Sequence, residues 1–286
     1  MKVKNIVVSS ALILASQMAM AAQAERIVSF DYGSLDTLTE LGLSSQVVAV
    51  PKQTLPNYLA EYNADKYTDV GNAKDIDIKA AGSANPTLIM ISGRQKSHKE
   101  ELKKIAKVED VSFDNKDYWK NFTAQVEHIG KQFGVEDKAQ AAIADLHTNI
   151  DKLKAKVGPN KHFVLVLHNN GHLIMGNYPV VDQVMGLQPS PIPAGVETKK
   201  RGNRSFTPLT PANIVTMNPD VLYIVDRSAA INKPEEALDL AAFKQTLAKL
   251  GGGDIKVSNL NPGLWYIAGN GLESVYLQAK EVASAF

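Results

Sequence analysis

The 286-residue sequence contains no cysteine. Disulfides, thiolate metal sites and cysteine nucleophiles are therefore excluded, as is a lipid anchor on a processed N-terminal cysteine. An excess of one charge is also lacking. The chain carries 31 Lys and Arg against 30 Asp and Glu with no basic tract, so nucleic acid is not an expected partner. There is no nucleophile elbow, phosphate-binding loop or helical metalloprotease His pair, and the expectation is that the chain is not an enzyme. Long apolar runs are missing except for one, from Ile6 through Met20, which follows Lys2 and Lys4 and precedes small residues up to Ala24. Its short apolar core and small-residue flank read as a cleaved secretory signal over residues 1–24 rather than a membrane span. Without Lys2 and Lys4, 29 basic residues face 30 acidic ones, so the mature chain is near neutral. An exported, cysteine-free chain of this kind reads as a soluble periplasmic protein without a lipid anchor. Nothing in it invokes an oligomer, so a monomer is expected.

What is present is an internal echo. Asn85-Pro86-Thr87-Leu88-Ile89-Met90-Ile91-Ser92-Gly93-Arg94 returns 133 positions later as Asn218-Pro219-Asp220-Val221-Leu222-Tyr223-Ile224-Val225-Asp226-Arg227. A second echo, offset by 146, sets Val111 to Trp119 against Val257 to Trp265. Each match is weak alone, but the order is the same in both halves, and one insertion reconciles the offsets. Two related lobes are implied, each offering an arginine and an aromatic near strand ends, with a cleft between them suited to an anion. Arg94 and Arg227 stand just beyond apolar strands, where α/β folds present ligand groups, and a guanidinium offers several donors to oxygen-rich anions.

The pattern along the chain supports this division. In residues 25–134, a strand from Arg26 to Phe30 precedes a helix that Ser34 caps, with Leu35, Leu38 and Leu41 on one face before Gly42. Strands follow at Val47–Val50, Leu88–Ile91 and Val111–Phe113, with a helix at Lys99–Ile105. Phe122, Val126, Ile129 and Phe133 keep helical spacing. A second stripe of Ala139, Ala142, Ile143, Leu146, Ile150, Leu153 and Val157 then predicts a long helix inside 135–158, the connector between lobes. Residues 159–286 return to alternation: strands at His162–Leu167, Leu173–Met175, Val221–Val225 and Ile255–Val257, and helices at Tyr178–Leu187, Pro211–Met217, Leu238–Leu250 and Leu272–Ala285. Gln188 to Arg204 reads as a loop. No His pair stands at ligand spacing, because Asn169-Asn170-Gly171 between His168 and His172 breaks a helix.

The strings "SFDYGSLDTLTELG" from Ser29, "VVAVPKQTLPNYL" from Val47, "NPTLIMISGR", "NPDVLYIVDR" and "WYIAGNGLESV" from Trp265 occur in order. With them the chain resembles periplasmic siderophore-binding proteins of the ferric-catecholate type, in the helical-backbone class of ABC-transporter substrate-binding proteins. The resemblance implies an α/β fold of two Rossmann-like lobes joined by a single long backbone helix, with the ligand cleft between them. It also implies a ferric catecholate siderophore as transported ligand rather than a permanent cofactor, and an inner-membrane ABC permease with its ATPase as partners. Haem, cobalamin or another chelate is the alternative cargo, since architecture does not fix ligand identity.

The same resemblance assigns candidate roles. Tyr266 is expected to supply a phenolate oxygen to iron when the siderophore leaves positions empty, and hard oxygen donors suit ferric iron. Trp265 is expected beside it, in a stretch where Gly269-Asn270-Gly271 allows a ligand to approach closely. The family's second iron ligand is a histidine in a mobile loop. Here that loop reads Lys199 to Phe206 without histidine, Arg201 stands at or near the position, and Arg201 or Arg204 is expected to supply positive charge. Tyr32 and Lys96 complete the expected lining of the cleft, although Tyr32 could equally pack beneath it.

Overall fold

The computed structural model describes residues 25–202 and 204–286, so the expected signal segment lies outside the described residues. The first lobe alternates β1 (Ile27–Ser29), α1 (Tyr32–Glu40), β2 (Val47–Val50), β3 (Thr68–Asp69), α2 (Ile78–Ser83), β4 (Leu88–Ile91), α3 (Lys99–Leu102) and β5 (Lys107–Asp110). Its five strands form a parallel sheet in the order β3-β2-β1-β4-β5. The continuous apolar run of β4, and the burial of every residue of β1, follow from coverage on both faces, as parallel sheets require. The first helix begins earlier than the sequence suggests. Asp31, not Ser34, is its cap, accepting 2.8 Å from the Ser34 amide, while Leu35, Leu38 and Leu41 face the core as expected. The expected strand at Val111–Phe113 is instead β5, ending at Asp110, and Val111 to Phe113 form the loop at its C-terminal end.

Two helices follow, α4 (Tyr118–Gln132) and α5 (Glu136–Val157). In α5 the expected stripe is buried at Ala139, Leu146, Ile150 and Val157, and Gly158, at φ 79°, ends it. The second lobe then runs β6 (His162–Asn169), β7 (His172–Met175), β8 (Gln188–Pro189), β9 (Lys199–Arg201), β10 (Arg204–Phe206), β11 (Pro208–Leu209), α6 (Pro211–Met217), β12 (Val221–Asp226), α7 (Arg227–Ala230), α8 (Leu240–Lys249), β13 (Lys256–Leu260) and α9 (Leu272–Ser284). Its main sheet is ordered β11-β7-β6-β12-β13, with β8 also pairing the start of β6. The echo is thus topological: β4 and β12 are each flanked by parallel strands, β1 and β5 in one lobe, β6 and β13 in the other. The expected helix at Tyr178–Leu187 is a single wide turn over Val180–Val184, and the expected loop contains β8 and the β9–β10 hairpin. Among the described residues no helix is long and apolar enough to cross a membrane.

The two lobes are also tied by α9, which packs on both α5 and α1. The Asp36 carboxylate of α1, fully buried, accepts from the Glu273 amide at 2.9 Å and the Ser274 amide at 2.7 Å, capping α9 from the other lobe. The glycines of the Gly269-Asn270-Gly271 stretch serve this junction, while Gly269 and Asn270 also line a cavity between the lobes. A Cβ on Gly269 would lie 2.5 Å from the Gly33 nitrogen, and one on Gly33 would lie 2.5 Å from the Asn270 nitrogen. Gly33→Ala is therefore expected to destabilise the protein by about 2 kcal/mol through overpacking. A thermal midpoint equal to the parent's in scanning calorimetry would show that the two backbones separate freely.

Candidate functional site

The C-terminal ends of β1, β4 and β5 open onto the interlobe cleft, where Asp31, Ser92, Arg94, Phe113, Gln125 and Asn270 line a cavity of about 330 Å³. Arg94, on its lining, meets two more of the expected site residues, Tyr266 and Arg227. Tyr266 sits in a wide helical turn, Gly263–Ile267, that leads from β13 towards α9, and it is half-buried. The Arg94 guanidinium lies 5.7 Å from the Tyr266 ring centroid and that of Arg227 lies 5.6 Å from it. Both distances are within cation–π range, so one aromatic ring joins the two arginines of the echo.

Hydrogen bonds fix the trio. Arg94, exposed two residues past the loop start at Ser92, donates through Nη2 to the Tyr266 carbonyl and through Nη1 to the Ile267 carbonyl at 3.3 Å. An arginine of the first lobe thereby grips the segment that follows the second lobe's last strand. Arg227 donates through Nε to the Tyr266 phenol oxygen at 2.8 Å and through Nη1 to the Asn169 side-chain oxygen at 2.5 Å. The result is a compact cationic surface with a phenol at its centre, an arrangement that attracts oxygen-rich anions and offers a hard oxygen donor to a hard metal.

The remaining expected residues fall elsewhere. Trp265 is 3 % exposed, its Nε1–H donates to Glu281 at 2.7 Å, and its ring meets Tyr178 edge-on at 5.6 Å. It supports the site from behind rather than lining it, buried under the turn against Tyr178. Tyr32 is buried, and its hydroxyl donates to the Pro51 carbonyl at 2.6 Å beside Thr54. Its ring borders the cavity, while burial pushes the phenol well above the ordinary tyrosine range. Lys96 is exposed in the short turn Lys96–His98. Arg201 is exposed on β9, and Arg204 belongs to β10 with its side chain outside the described residues.

Sequence reasoning missed three groups. Tyr178 stands behind the trio, and burial pushes its phenol up to about 12, Tyr266 adding to the effect and Arg94 opposing it. Asn169 holds Arg227. Beneath it, His168 and Asp226, both nearly inaccessible, pair at 3.0 Å. Burial drives the Asp226 carboxyl up, but hydrogen bonds from His168, Leu238 and Ala229 outweigh it and hold it below the ordinary range. The readable signal was Asn170-Gly171, a two-residue hairpin pair with φ 46° and 75°, which turns β6 back into β7 and places His168 under the turn. Among the described residues no three His, Asp or Glu gather to hold a metal ion.

Comparison with known proteins fits this geometry. The chain is 33 % identical over 266 residues to the petrobactin-binding protein YclQ of Bacillus subtilis, covering 90 % of this chain and 81 % of that one. The crystal structure of YclQ superposes with a TM-score of 0.80 over 91 % of both chains. The iron uptake ABC transporter substrate-binding protein PiuA of Streptococcus pneumoniae superposes with a TM-score of 0.77 at 25 % identity, over 92 % of this chain and 93 % of that one. The catecholate-siderophore binding protein VctP of Vibrio cholerae, at 24 % identity and a TM-score of 0.75 over 91 % of this chain and 93 % of that one, shares the fold. Residues 27–249 match the periplasmic binding protein family, and with two α/β lobes, a long connecting helix and a cleft between them the chain belongs to it.

Proposed function

We propose that the protein is a periplasmic receptor that captures a ferric catecholate siderophore in the interlobe cleft and delivers it to an inner-membrane ABC importer. The observation that carries this reading is the Tyr266 ring held between Arg94 and Arg227, each within 6 Å of its centroid and each from a different half of the echo. A ferric tris-catecholate carries a net charge of about −3, so two guanidinium groups compensate most of it at short range. Its aromatic rings also suit a site where cations and a phenol are interleaved. The names of the relatives, petrobactin-binding and iron uptake substrate-binding, support the same cargo class. The iron is cargo, the ligand is transient, and ATP hydrolysis belongs to a separate subunit. The chain works as a monomer, without a lipid anchor, after its signal segment is cleaved, and it catalyses no reaction.

Residues 25–134 and 159–286 form the two lobes of this receptor, with 135–158 between them. Arg94, Arg227 and Tyr266 meet the ligand directly. Arg201, Arg204 and Lys96 add positive charge along its approach, and Tyr32 and Trp265 shape the wall behind it.

Titration of the purified mature protein with ferric tris-catecholate, ferric bis-catecholate, a ferric hydroxamate, haem and cobalamin tests the reading, with tryptophan fluorescence as the signal. Sub-micromolar quenching by the catecholates is expected. Tight binding of haem or cobalamin alone would replace the proposed cargo with that chelate. In the bis-catecholate complex, Tyr266→Phe is expected to change the visible charge-transfer band while leaving that of the tris-catecholate complex in place. An identical band in the bis-catecholate complexes of parent and variant would remove Tyr266 from the iron.

A further inference from the structure

Arg227 does not find its place unaided. Its Nε and Nη1 are both engaged, by the Tyr266 phenol at 2.8 Å and the Asn169 side-chain oxygen at 2.5 Å. These two nitrogens lie on opposite sides of Nη2 in the planar guanidinium, so the acceptors fix the plane and leave the Nη2 donors between them. Asn169 closes β6, half-buried and paired with His172 across the hairpin. The turn accounts for its neighbours, because Asn170 and Gly171 adopt the positive φ that such a hairpin demands. It makes no demand of that kind on Asn169, which is extended strand. The only use the structure makes of the Asn169 side chain, among the described residues, is to accept from Arg227.

The height of that side chain is fixed from below. The Asn170 amide donates to Ser228 Oγ at 3.0 Å, and the Gly171 amide donates to His168 Nε2 at 3.0 Å. Because Nε2 accepts, Nδ1 carries the hydrogen that reaches Asp226 Oδ1 at 3.0 Å. Asp226 in turn accepts from the Ser228 amide at 3.0 Å through Oδ1 and from the Leu238 amide at 2.8 Å through Oδ2. His168 is 2 % exposed, Asp226 4 % and Ser228 fully buried. The residues on either side of Arg227 therefore hold the turn that carries Asn169, and Asn169 holds Arg227. The loop of contacts is closed.

We propose that Asn169 is a positioning residue for Arg227, and that the buried His168–Asp226 pair sets the height of Asn169, so that the Nη2 donors of Arg227, which no group among the described residues engages, are aimed at ligand oxygens before binding. This rests on the reading of Arg227 as a contact to an anionic ligand. The role requires the two side chains to be energetically coupled, which an ordinary turn residue would not be.

A double-mutant cycle measures that coupling. Dissociation constants for a synthetic ferric tris-catecholamide are compared in the parent, Asn169→Leu, Arg227→Ala and the double variant, with thermal midpoints alongside. Asn169→Leu keeps the branched shape and the number of heavy atoms and removes the acceptor. It is expected to weaken binding about tenfold in the parent, the size of one hydrogen bond to a charged group, and less than twofold once Arg227 is gone. An equal loss in both backgrounds, or none in the parent, overturns the positioning role while leaving the cargo reading intact. Should Arg227→Ala itself bind as the parent does, the ligand contact fails and the positioning role falls with it. His168→Phe is expected to mimic Asn169→Leu without adding to it. Because that variant alters a buried polar group and can fold poorly, the Asn169 cycle decides by itself.

Discussion

Replacing Arg94 and Arg227 together by alanine is expected to raise the dissociation constant for a ferric tris-catecholate by about a thousandfold, each single change giving between tenfold and a hundredfold. Hydrogen bonds from a charged donor are worth about 1.5–3 kcal/mol each when the site excludes water, and every 1.4 kcal/mol is roughly a factor of ten. The two effects should fall short of strict additivity, because both guanidinium groups touch Tyr266 and each variant releases that ring. The roles also differ. Arg94 spans the lobes to the Tyr266 and Ile267 carbonyls, so its loss loosens the turn as well as removing charge. Arg227 is bonded to the phenol itself. Arg94→Lys keeps the charge but not a fork that reaches two carbonyls, and it should recover only part of the affinity. Calorimetric titration at two salt concentrations separates the contributions, since the charge-dependent part weakens as salt is raised while the parent fold is unchanged. Binding by the double variant within threefold of the parent would rule out the arginine pair as the source of affinity.

That the pair could be found from residues alone has a physical reason. A strand that ends on a ligand cleft is a short apolar run followed at once by a polar group, and both copies of the NP string have that form. The long connecting helix was equally legible, because burial of one face over 22 residues leaves a stripe that no strand would carry. Trp265 was misplaced for the same kind of reason. Its neighbour Tyr266 is half-buried between Arg94 and Arg227, but the turn that carries both is wider than an α-helical one, and nothing local says which of two adjacent aromatics is buried. The glycines around Asn270 read as freedom for a ligand, and Gly269 does line the cavity, but nothing local announced that they also admit the backbone of the other lobe. Asp36 was invisible: within a helix it resembles a solvated acid, and only the arrival of α9, more than two hundred residues later, buries it. Long-range partners of polar residues carry no periodic signature, and the features not read in advance, Asp36, Asn169, His168 and Tyr178, are all of that type.

Asp36 yields the largest expected effect on stability, and its sign is specific. The carboxylate accepts from the amides that open α9, an environment that favours its charged form, but complete burial disfavours that form more strongly. Burial, with a smaller contribution from Glu40, pushes the group up to about 7, against the two amides and the Ser274 hydroxyl. Since the folded protein holds this proton more tightly than the unfolded chain does, unfolding releases it between about pH 4 and pH 7. The group's contribution is therefore fully present at acid pH and is lost as pH rises through 7. Between pH 5 and pH 8 the parent should lose about 2 kcal/mol from this source, on top of whatever other groups contribute. Asp36→Asn keeps one acceptor and cannot titrate, so its stability should lack that fall. Asp36→Ala leaves the Glu273 and Ser274 amides without their partner at a buried junction and should cost about 2–4 kcal/mol near neutral pH. Denaturant unfolding of the parent and both variants from pH 5 to pH 8 reads all three quantities. A parent and an Asp36→Asn variant with the same slope across that range would mean that Asp36 stays charged throughout, held by the helix end rather than by its burial. In the expected case the lobes are tied most firmly at acid pH, the tie weakens as the unfolded chain's carboxyl ionises between about pH 4 and pH 7, and the loss levels off once the α1–α9 junction itself gains a buried charge.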